Sequence, residues 1–356
     1  MSPVVREEPS AWGARLRAAA AAGELFDLPF VQQPAWAASK ALTGWESVCL
    51  VAHDGAAWAG AQFLIRRLPA GLGRIAYSPR GPLVVAPNEG VARTLRADLL
   101  RGLSELRRDG VTLVRLEPGE STPLADDADH VHPADGLSET LRAPWIAAAT
   151  ASRITLHRAR PVQPSTSRRI DLSTGMENVR AAWRSKWRQY ARHATEAGVT
   201  VRAVGADGAA ALYTAMTAIS GRTGVKTRSS AAFAHIVDAF NGEAEILLAE
   251  SPSGETLGAL LLITTPTTTT ELFGGATDAG NELRAPYALK VAAIERAVER
   301  GSATYDMWGI STSGIAHFKA GWGGAPVVYP GALDVDLDPL RGPLVRLALR
   351  LRGFGA

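Results

Sequence analysis

The architecture of this chain is most readily inferred from one segment, Tyr305-Asp306-Met307-Trp308-Gly309-Ile310, and from the run after it, Phe318-Lys319-Ala320-Gly321-Trp322-Gly323-Gly324. The first run ends a strand-like apolar stretch, and the second places one lysine among glycines. Glycine lets a backbone approach a ligand closely, and a lysine in that setting can hold charge against a reacting carbonyl or a phosphate. A Gly-rich turn with a purely structural role is the competing interpretation.

The order of elements around this segment predicts a duplicated α+β architecture. Antiparallel strands, a helix and a further strand occur twice along the chain, which predicts two mixed, largely antiparallel sheets flanked by helices. In the first half the strands are expected at residues 47–52, 58–68, 73–77 and 111–117, with a helix at 90–108. In the second half they are expected at residues 245–250, 256–264, 269–273 and 303–307, with a helix at 286–300.

The length of 356 residues suits two domains of about 150 residues each. Residues 159–169 are rich in Pro, Ser, Thr and Arg without apolar periodicity, which predicts a linker. We therefore expect a first domain at residues 1–160 and a second at 161–330. The tail, residues 331–356, is expected to pack back on the first domain, because residues 333–337 alternate like an edge strand.

Composition indicates a globular chain in a reducing compartment. Hydrophobic residues make up 46% of it, and no apolar run approaches the roughly 20 residues needed to cross a bilayer. Glu7 and Glu8 stand where a signal peptide would be apolar, so a cytoplasmic location is expected. The single cysteine, Cys49, is expected to be a buried structural thiol. Two histidines in the acidic run 126–132 suggest metal ligands or, more simply, a solvated loop.

A helix predicted over residues 180–198 carries the densest cationic pattern. Its aromatic face repeats Trp183, Trp187 and Tyr190, and a second stripe bears Arg184, Arg188 and Arg192, flanked by Lys186 and His193. Cations interleaved with aromatic rings suit a phosphate backbone and exposed bases. The alternative is an ordinary amphipathic helix with core tryptophans and solvated arginines.

Three further positions are candidates. The loop 221–229 places several cations before a helix with Ser229 or Ser230 as its N-cap, which suits an anion. Arg284 and Tyr287 begin the helix of the second half and could contact substrate. Asp306, at the end of an apolar strand, is either a partly buried carboxylate or a capping residue. The sequence shows neither a nucleophile elbow nor a Cys/His metal pattern.

In their order along the chain, these and other motifs resemble the Fem family of aminoacyl-tRNA-dependent peptidoglycan transferases, in a compact form without a coiled-coil arm. The motifs are residues 30–36 with Lys40 and Trp45, residues 79–82 and 115–118, the helix with Trp187 and Arg188, residues 272–276 and 285–287, and the two runs quoted above. The resemblance covers most of the chain. It implies two tandem domains of the GNAT type, with the muropeptide site at the first domain and its border with the second.

The resemblance also assigns roles to individual residues. Phe318 and Lys319 match the pair linked to transfer, with Asp306 nearby as a third catalytic candidate. The residues implied in substrate binding are Lys40 and Arg228 for phosphate, Glu117 in place of a more usual aspartate, Phe273, Arg284 and Tyr287. A family tyrosine is replaced by Ala232. Arg184, Lys186, Arg188 and Arg192 are the candidates for tRNA binding. No metal and no cofactor are expected beyond aminoacyl-tRNA as co-substrate.

The chemistry that the resemblance implies is aminolysis of an ester. A side-chain amine of a stem peptide, on UDP-MurNAc-pentapeptide or lipid II, attacks the 3′ ester of aminoacyl-tRNA and forms an amide. An amine of pKa about 10 needs a base, for which Asp306, Glu117 and the substrate itself are open alternatives. Two other functions compete: amide formation on a small-molecule amine, and a tRNA-binding adaptor without catalysis.

The C-terminal residues 340–354 alternate leucines with arginines. A short basic amphipathic helix of this kind suits an anionic membrane surface, which would place the protein at the inner face of the cell membrane. A helix docked on its own protein explains the same pattern.

Overall fold

Two compact units form the chain in the computed structural model, which describes residues 4–25, 27–124, 135–223, 227–310 and 312–352. Within these ranges the first unit contains residues 4–124, 135–166 and 327–352, and the second contains residues 167–326. The first unit is therefore built from both ends of the chain. The acidic run 126–132 lies outside the described residues.

The strands, in chain order, are β1 (Val4–Glu7), β2 (Glu46–Asp54), β3 (Ala57–Arg67), β4 (Arg74–Ser78), β5 (Leu83–Val85), β6 (Val111–Leu116), β7 (Thr122–Pro123), β8 (His157–Ala159), β9 (Thr166–Asp171), β10 (Thr200–Val204), β11 (Ala244–Glu250), β12 (Thr256–Thr264), β13 (Thr268–Ala276), β14 (Thr304–Gly309), β15 (Ala325–Val328) and β16 (Ala332–Asp336). The α-helices are α1 (Pro9–Ala21), α2 (Pro34–Ala41), α3 (Glu89–Gly102), α4 (Asp135–Ala151), α5 (Met176–Ala181), α6 (Ser185–Glu196), α7 (Ala209–Thr223), α8 (Ser230–Phe240), α9 (Asp278–Glu282), α10 (Ala285–Glu299), α11 (Ser313–Ala320) and α12 (Arg341–Arg352). Short 3₁₀ helices span Phe30–Gln32, Leu103–Asp109 and Ala206–Gly208.

The sheet of the first unit has the order β1-β2-β3-β4-β6-β16-β8, with β5 paired to β3. All of its pairs are antiparallel except β4 with β6, which are parallel because α3 crosses between β5 and β6. Asn88 is the N-cap of α3, because its side chain accepts from the backbone N–H of Val91, and the helix buries Leu95 and Leu99 against the sheet. The predicted α+β order is confirmed here.

The tail strand β16 is an interior strand, so its prediction as an edge strand was wrong. It lies between β6 and β8. Leu333 and Val335 enter the core, while Asp334 on the other face accepts two hydrogen bonds from Arg115, at 2.7 and 2.8 Å. A buried ion pair, rather than water, therefore satisfies the polar position of the alternating pattern.

The sheet of the second unit repeats this plan in the order β10-β11-β12-β13-β14-β9. β13 and β14 are its parallel pair and are connected through α9 and α10. Their pairing extends over three residues and ends at Thr270 opposite Asp306. Beyond that point the two strands separate, which leaves main-chain groups of residues 307–309 available to other parts of the unit.

The helix predicted over residues 180–198 is two helices, α5 and α6. The break falls at Arg184, whose extended backbone directs its N–H to the carbonyl oxygen of Gly321 at 2.8 Å instead of along a continuous helix. A tertiary hydrogen bond thus overrides the helical pattern.

Cys49 is 1% exposed, and burial raises the pKa of its thiol to about 12, which confirms an inert structural thiol.

Candidate functional site

Three sequence motifs of the first unit meet around Gln32. Its side-chain amide donates to the carbonyl oxygen of Pro79 at 2.7 Å and to the hydroxyl of Ser78 at 3.2 Å, while its oxygen accepts from the backbone N–H of Gln62 at 2.9 Å. The motif at residues 30–36 is thereby fixed to the motif at residues 79–82. This second motif pairs in turn with the third, through an antiparallel bridge between Gly81 and Glu117.

Glu117 is 2% exposed, and protein donors surround its carboxylate. The hydroxyl of Tyr77 donates to it at 2.9 Å, and the backbone N–H groups of Val162 and Gln163 donate as well. Burial raises the pKa of Glu117, although these hydrogen bonds and the charge of Arg80 oppose the rise. In this arrangement Glu117 holds residues 162–163 against the end of β6, and its predicted role in substrate binding stays a prediction.

Lys40 and Arg80 are two cations of the first unit that lie in these motifs. Lys40, in the last turn of α2, is half-buried, with its ammonium 3.9 Å from the centroid of the Trp36 ring. Arg80 is buried over the ring of Tyr329 at 3.2 Å and donates to the carbonyl oxygen of Pro164 at 2.6 Å. Aromatic faces therefore hold both cations.

In the second unit, Lys319 closes the end of β14. Its ammonium donates to the carbonyl oxygens of Met307, Trp308 and Gly309 at 2.5, 3.2 and 2.7 Å. An ammonium has three N–H donors, so a direct bond from Lys319 to a substrate oxygen requires the exchange of one of these three. Burial lowers the pKa of Lys319 from 10.5 to about 8.

Asp306 is buried and ion-paired. It accepts from the guanidinium of Arg169 at 3.0 Å, from the backbone N–H of Trp308 at 2.7 Å and from the hydroxyl of Ser167. A carboxylate offers about four acceptor positions, so three of them are occupied. Of the two roles predicted for Asp306, a buried carboxylate and a cap, the structure combines both, because its bond to Trp308 fixes the turn at the end of β14.

The glycines that follow Lys319 are required by protein packing, which corrects the expectation that they admit a ligand. A Cβ on Gly321 would overlap the indole nitrogen of Trp187, and one on Gly324 would overlap the carbonyl oxygen of Arg169. Gly323 and Gly324 also have positive φ, at 80° and 70°. The close backbone approach is therefore to Trp187 and to β9.

A buried charge pair beneath this region has no counterpart among the predicted residues. Lys290, 1% exposed on α10, donates to the carboxylate of Glu271 on β13, which also accepts from the hydroxyl of Tyr305 at 2.6 Å. The Lys290 ammonium also lies 5.8 Å from the centroid of the Phe318 ring. In the sequence, the available signal for this pair is a lysine among the apolar residues of α10. Its partner, Glu271, follows only from the fold.

Phe318 belongs to an aromatic cluster that surrounds Tyr287. The centroid of the Tyr287 ring lies 5.4 Å from Phe318, 5.6 Å from Trp187 and 4.9 Å from Tyr190. Trp187 is buried and donates from its indole N–H to the carbonyl oxygen of Phe318 at 2.9 Å. The fold thus brings the predicted residues Phe318 and Tyr287 together with the aromatic face of α6.

The outer side of this cluster is an open groove with a basic wall. Lys186 and Arg284 lie over the ring of Tyr190 at 5.5 and 4.5 Å, and Arg184 lies over Trp187 at 5.7 Å beside His317. The lining residues of the groove are Arg184, Ser185, Lys186, Trp187, Tyr190, Arg284, Tyr287 and His317. Arg192 lines a second depression that adjoins the first at Lys186 and Tyr190.

Two predicted cations lie apart from this groove. Arg188 donates to the carbonyl oxygens of Arg180 and Trp183, at 3.2 and 2.7 Å, and so caps the end of α5. Arg228 lies 5.5 Å from the ring of Phe273. Ser229 is confirmed as the N-cap of α8, but residues 224–226 of the predicted anion loop lie outside the described residues.

Comparison with known proteins decides the family. The model of the FemAB family matches residues 27–257 and 253–350. The chain belongs to the FemAB family. The predicted resemblance is therefore confirmed. Membership in this family, which is associated with peptidoglycan cross-bridges, indicates a transferase of the acyltransferase class. A search of curated proteins gave no match.

Solved structures confirm the tandem GNAT fold. The crystal structure of FemX is 16% identical, with a TM-score of 0.77, and the match covers 99% of this chain and 100% of that one. A tandem GNAT protein from the clavulanic acid biosynthesis pathway is 13% identical, with a TM-score of 0.55 and coverage of 95% and 99%. The C-terminal domain of a putative lysylphosphatidylglycerol synthetase from Agrobacterium fabrum is 12% identical, with a TM-score of 0.51 and coverage of 98% and 100%.

Two features are absent from the described residues. None of their helices is long and apolar enough to span a membrane. None of their His, Cys, Asp and Glu side chains form a group of three or more that could hold a metal ion.

Proposed function

We propose that this FemAB-family protein transfers an amino acid from aminoacyl-tRNA to a side-chain amine of the stem peptide of a peptidoglycan precursor. The observation that carries the proposal is the groove of the second unit, where cations and aromatic rings alternate beside Phe318. Family membership supports the same reaction class.

The groove suits the single-stranded 3′ end of a tRNA. Lys186, Arg192 and Arg284 are exposed and supply positive charge along it, and the half-buried rings of Tyr190 and Tyr287 offer surfaces for stacking. Charge gives most of the affinity for a phosphate backbone, and each stacked base adds about 1–3 kcal/mol. Arg188, which caps α5, is expected to contribute through the position of α6.

The reaction is aminolysis. The attacking nitrogen forms a bond to the ester carbonyl carbon, the bond from that carbon to the ribose 3′ oxygen breaks, and the amine proton is transferred to the departing oxygen. The ammonium of Lys319 is proposed to stabilise the negative charge that develops on oxygen, by exchanging one carbonyl partner for it. Trp308 is the partner at the longest distance, 3.2 Å, and is the first expected to be exchanged.

The proton acceptor is proposed to be one of two carboxylates. Asp306 and Glu117 are each buried with three donors, which leaves each carboxylate about one acceptor position. Single-turnover transfer by Asp306→Asn and Glu117→Gln separates them, because loss of the base slows the chemical step by about 10²–10⁴ whereas loss of a structural carboxylate lowers stability.

The acceptor is proposed to bear phosphate and to bind the first unit through Lys40. Substitution Lys40→Ala is expected to raise KM for UDP-MurNAc-pentapeptide and to leave kcat nearly unchanged, because the contact is equal in the ground and transition states. An unchanged KM for this acceptor, together with transfer to a small amine, would instead favour the small-molecule function.

The test is transfer of radiolabelled amino acids from charged tRNA to UDP-MurNAc-pentapeptide and to lipid II, with ribonuclease treatment as the control. Binding of charged tRNA is measured in parallel over a range of salt concentrations. Lys186→Ala and Arg192→Ala are each expected to reduce the slope of log K against log salt by about 0.7. The matched control is Arg202→Ala, which removes an exposed arginine on β10 that pairs with Glu250.

Labelling that survives ribonuclease treatment would contradict an aminoacyl-tRNA donor. Binding of tRNA without transfer to any amine, in wild type and Lys319→Ala alike, would support the adaptor function instead. Equal slopes for Lys186→Ala and Arg202→Ala would place the tRNA outside the groove.

A further inference from the structure

A stripe of four leucines lies exposed along the C-terminal helix. Leu340, Leu344, Leu347 and Leu351 are 79, 56, 54 and 78% exposed. Leu340 directly precedes α12, and at about 100° per residue Leu344, Leu347 and Leu351 fall within a sector of roughly 60° on one side of the helix. Single exposed leucines are ordinary on a protein surface, but a continuous line of four marks an interaction site.

The opposite side of α12 is packed against the first unit, so the leucine stripe is held in place. Val345 is 1% exposed and joins a small core with Ile75 and Leu113, against which Leu349 also packs. Arg346 forms a bidentate ion pair with Asp336, at 2.9 to 3.2 Å. Both explanations of the sequence pattern therefore apply, because the helix docks on its own protein and still presents leucines outward.

Positive charge borders the stripe on both sides. On the helix, Arg341 and Arg350 are exposed and lie about 80–90° to either side of the leucines. The Arg350 side continues into a cavity of about 300 Å³ that is lined by the side chains of Arg115, Arg158, Arg160, Arg346 and Arg350. Its carboxylate, Asp334, is already paired with Arg115. Arg158 is likewise paired with Glu139, and Arg346 with Asp336. The excess positive charge of the cavity therefore comes from Arg160 and Arg350.

We propose that α12 and this cavity form a binding surface for an anionic lipid membrane. The leucines would enter the interfacial region, Arg341 and Arg350 would face lipid phosphates, and the cavity would receive an anionic headgroup. The proposal does not depend on the transferase function. It commits to a membrane because apolar residues and cations alternate on one surface, which is the composition that a bilayer interface binds.

A second copy of this chain fits the stripe poorly. Two such helices packed along their leucines would gather the arginines of both copies along one seam, and α12 has no Asp or Glu to pair with them, so like charges repel. The stripe itself consists of four leucine side chains, which is small for a stable interface.

The test is co-sedimentation of the full chain with vesicles of phosphatidylcholine alone and of phosphatidylcholine with phosphatidylglycerol. We expect binding to the anionic vesicles, with loss of at least about tenfold in Leu344→Ser/Leu347→Ser and about fivefold in Arg350→Ser. The matched control is Ile146→Ser, which removes a 40% exposed apolar side chain from α4 of the same unit. Because all of these positions are exposed, thermal unfolding verifies that the variants fold.

Absence of binding to anionic vesicles would overturn the proposal, as would equal binding by the double leucine variant and wild type. Equal binding to both kinds of vesicle would overturn the role of the arginines. Size-exclusion chromatography that shows a wild-type dimer, converted to a monomer by Leu344→Ser/Leu347→Ser, would instead assign the stripe to contact between copies.

Discussion

Replacement of Lys319 by methionine separates the structural and catalytic roles of its ammonium. The variant keeps the length of the side chain and loses three hydrogen bonds to the carbonyl oxygens of residues 307–309. Each such bond from a charged donor contributes about 1.5 kcal/mol, or about 5 kcal/mol in all. Burial lowers the pKa of Lys319 from 10.5 to about 8, equivalent to a cost of about 3 kcal/mol at neutral pH.

The balance is a loss of about 1–2 kcal/mol in the free energy of unfolding for Lys319→Met. Thr312→Ala is the matched control, because the Thr312 side chain caps α11 by accepting from the backbone N–H of Ile315, and loss of such a cap costs about 1 kcal/mol. Both variants therefore weaken the same helix to a similar degree. Only Lys319→Met also removes the charge proposed to act on the reacting oxygen.

The assays are urea denaturation and single-turnover transfer from charged tRNA. We expect kcat to fall by about 10²–10³ in Lys319→Met and to change by less than about threefold in Thr312→Ala. Equal loss of turnover in the two variants would mean that helix stability, not the ammonium, controls the reaction. Full turnover in Lys319→Met would refute the catalytic assignment.

Three further outcomes follow from the second unit. Lys290→Met is expected to lower the free energy of unfolding by about 3–5 kcal/mol, because Glu271 is left buried without its partner, and Glu271→Leu/Lys290→Met should lose less in the same denaturation assay. Above pH 8 native Lys319 loses its proton, whereas Lys319 in the unfolded chain keeps it to about pH 10.5. Between these pH values the free energy of unfolding of wild type should therefore rise relative to Lys319→Met by about 1.4 kcal/mol per pH unit, and below pH 8 it should not rise. Urea denaturation at each pH measures this difference. Gly321→Ala should lower the free energy of unfolding by about 1–3 kcal/mol and alter tryptophan fluorescence, because the added methyl overlaps Trp187. An unchanged fluorescence spectrum and an unchanged urea midpoint would contradict this.

Local pattern in the sequence was sufficient to predict the main strands and helices. The strand predicted at residues 256–264 is β12 with the same bounds, and the helix predicted at 286–300 is α10, shifted by one residue. Long apolar runs and helical periodicity depend on near neighbours, and the alternation of elements was enough to predict the duplicated α+β plan.

Features set by distant partners were not predictable in this way. The break before α6 depends on a hydrogen bond from Arg184 to Gly321, and the interior position of β16 depends on the pairing of Asp334 with Arg115. For the glycines after Lys319 the sequence allows a ligand or a structural turn, and only the fold shows that Trp187 occupies the space beside Gly321. The residues predicted to act in transfer, Phe318, Lys319 and Asp306, lie near one another in the second unit. Their roles stay predictions, which the kinetic experiments above test.

The measurement that tests the central claim most directly is the mass of the acceptor after reaction. UDP-MurNAc-pentapeptide and lipid II are each incubated with the protein and charged tRNA, and the products are fragmented by tandem mass spectrometry. The proposal predicts a mass increase of one aminoacyl residue, located on a side-chain amine of the stem peptide and absent after ribonuclease treatment. An unmodified stem peptide with both acceptors, in the presence of intact charged tRNA, would contradict it.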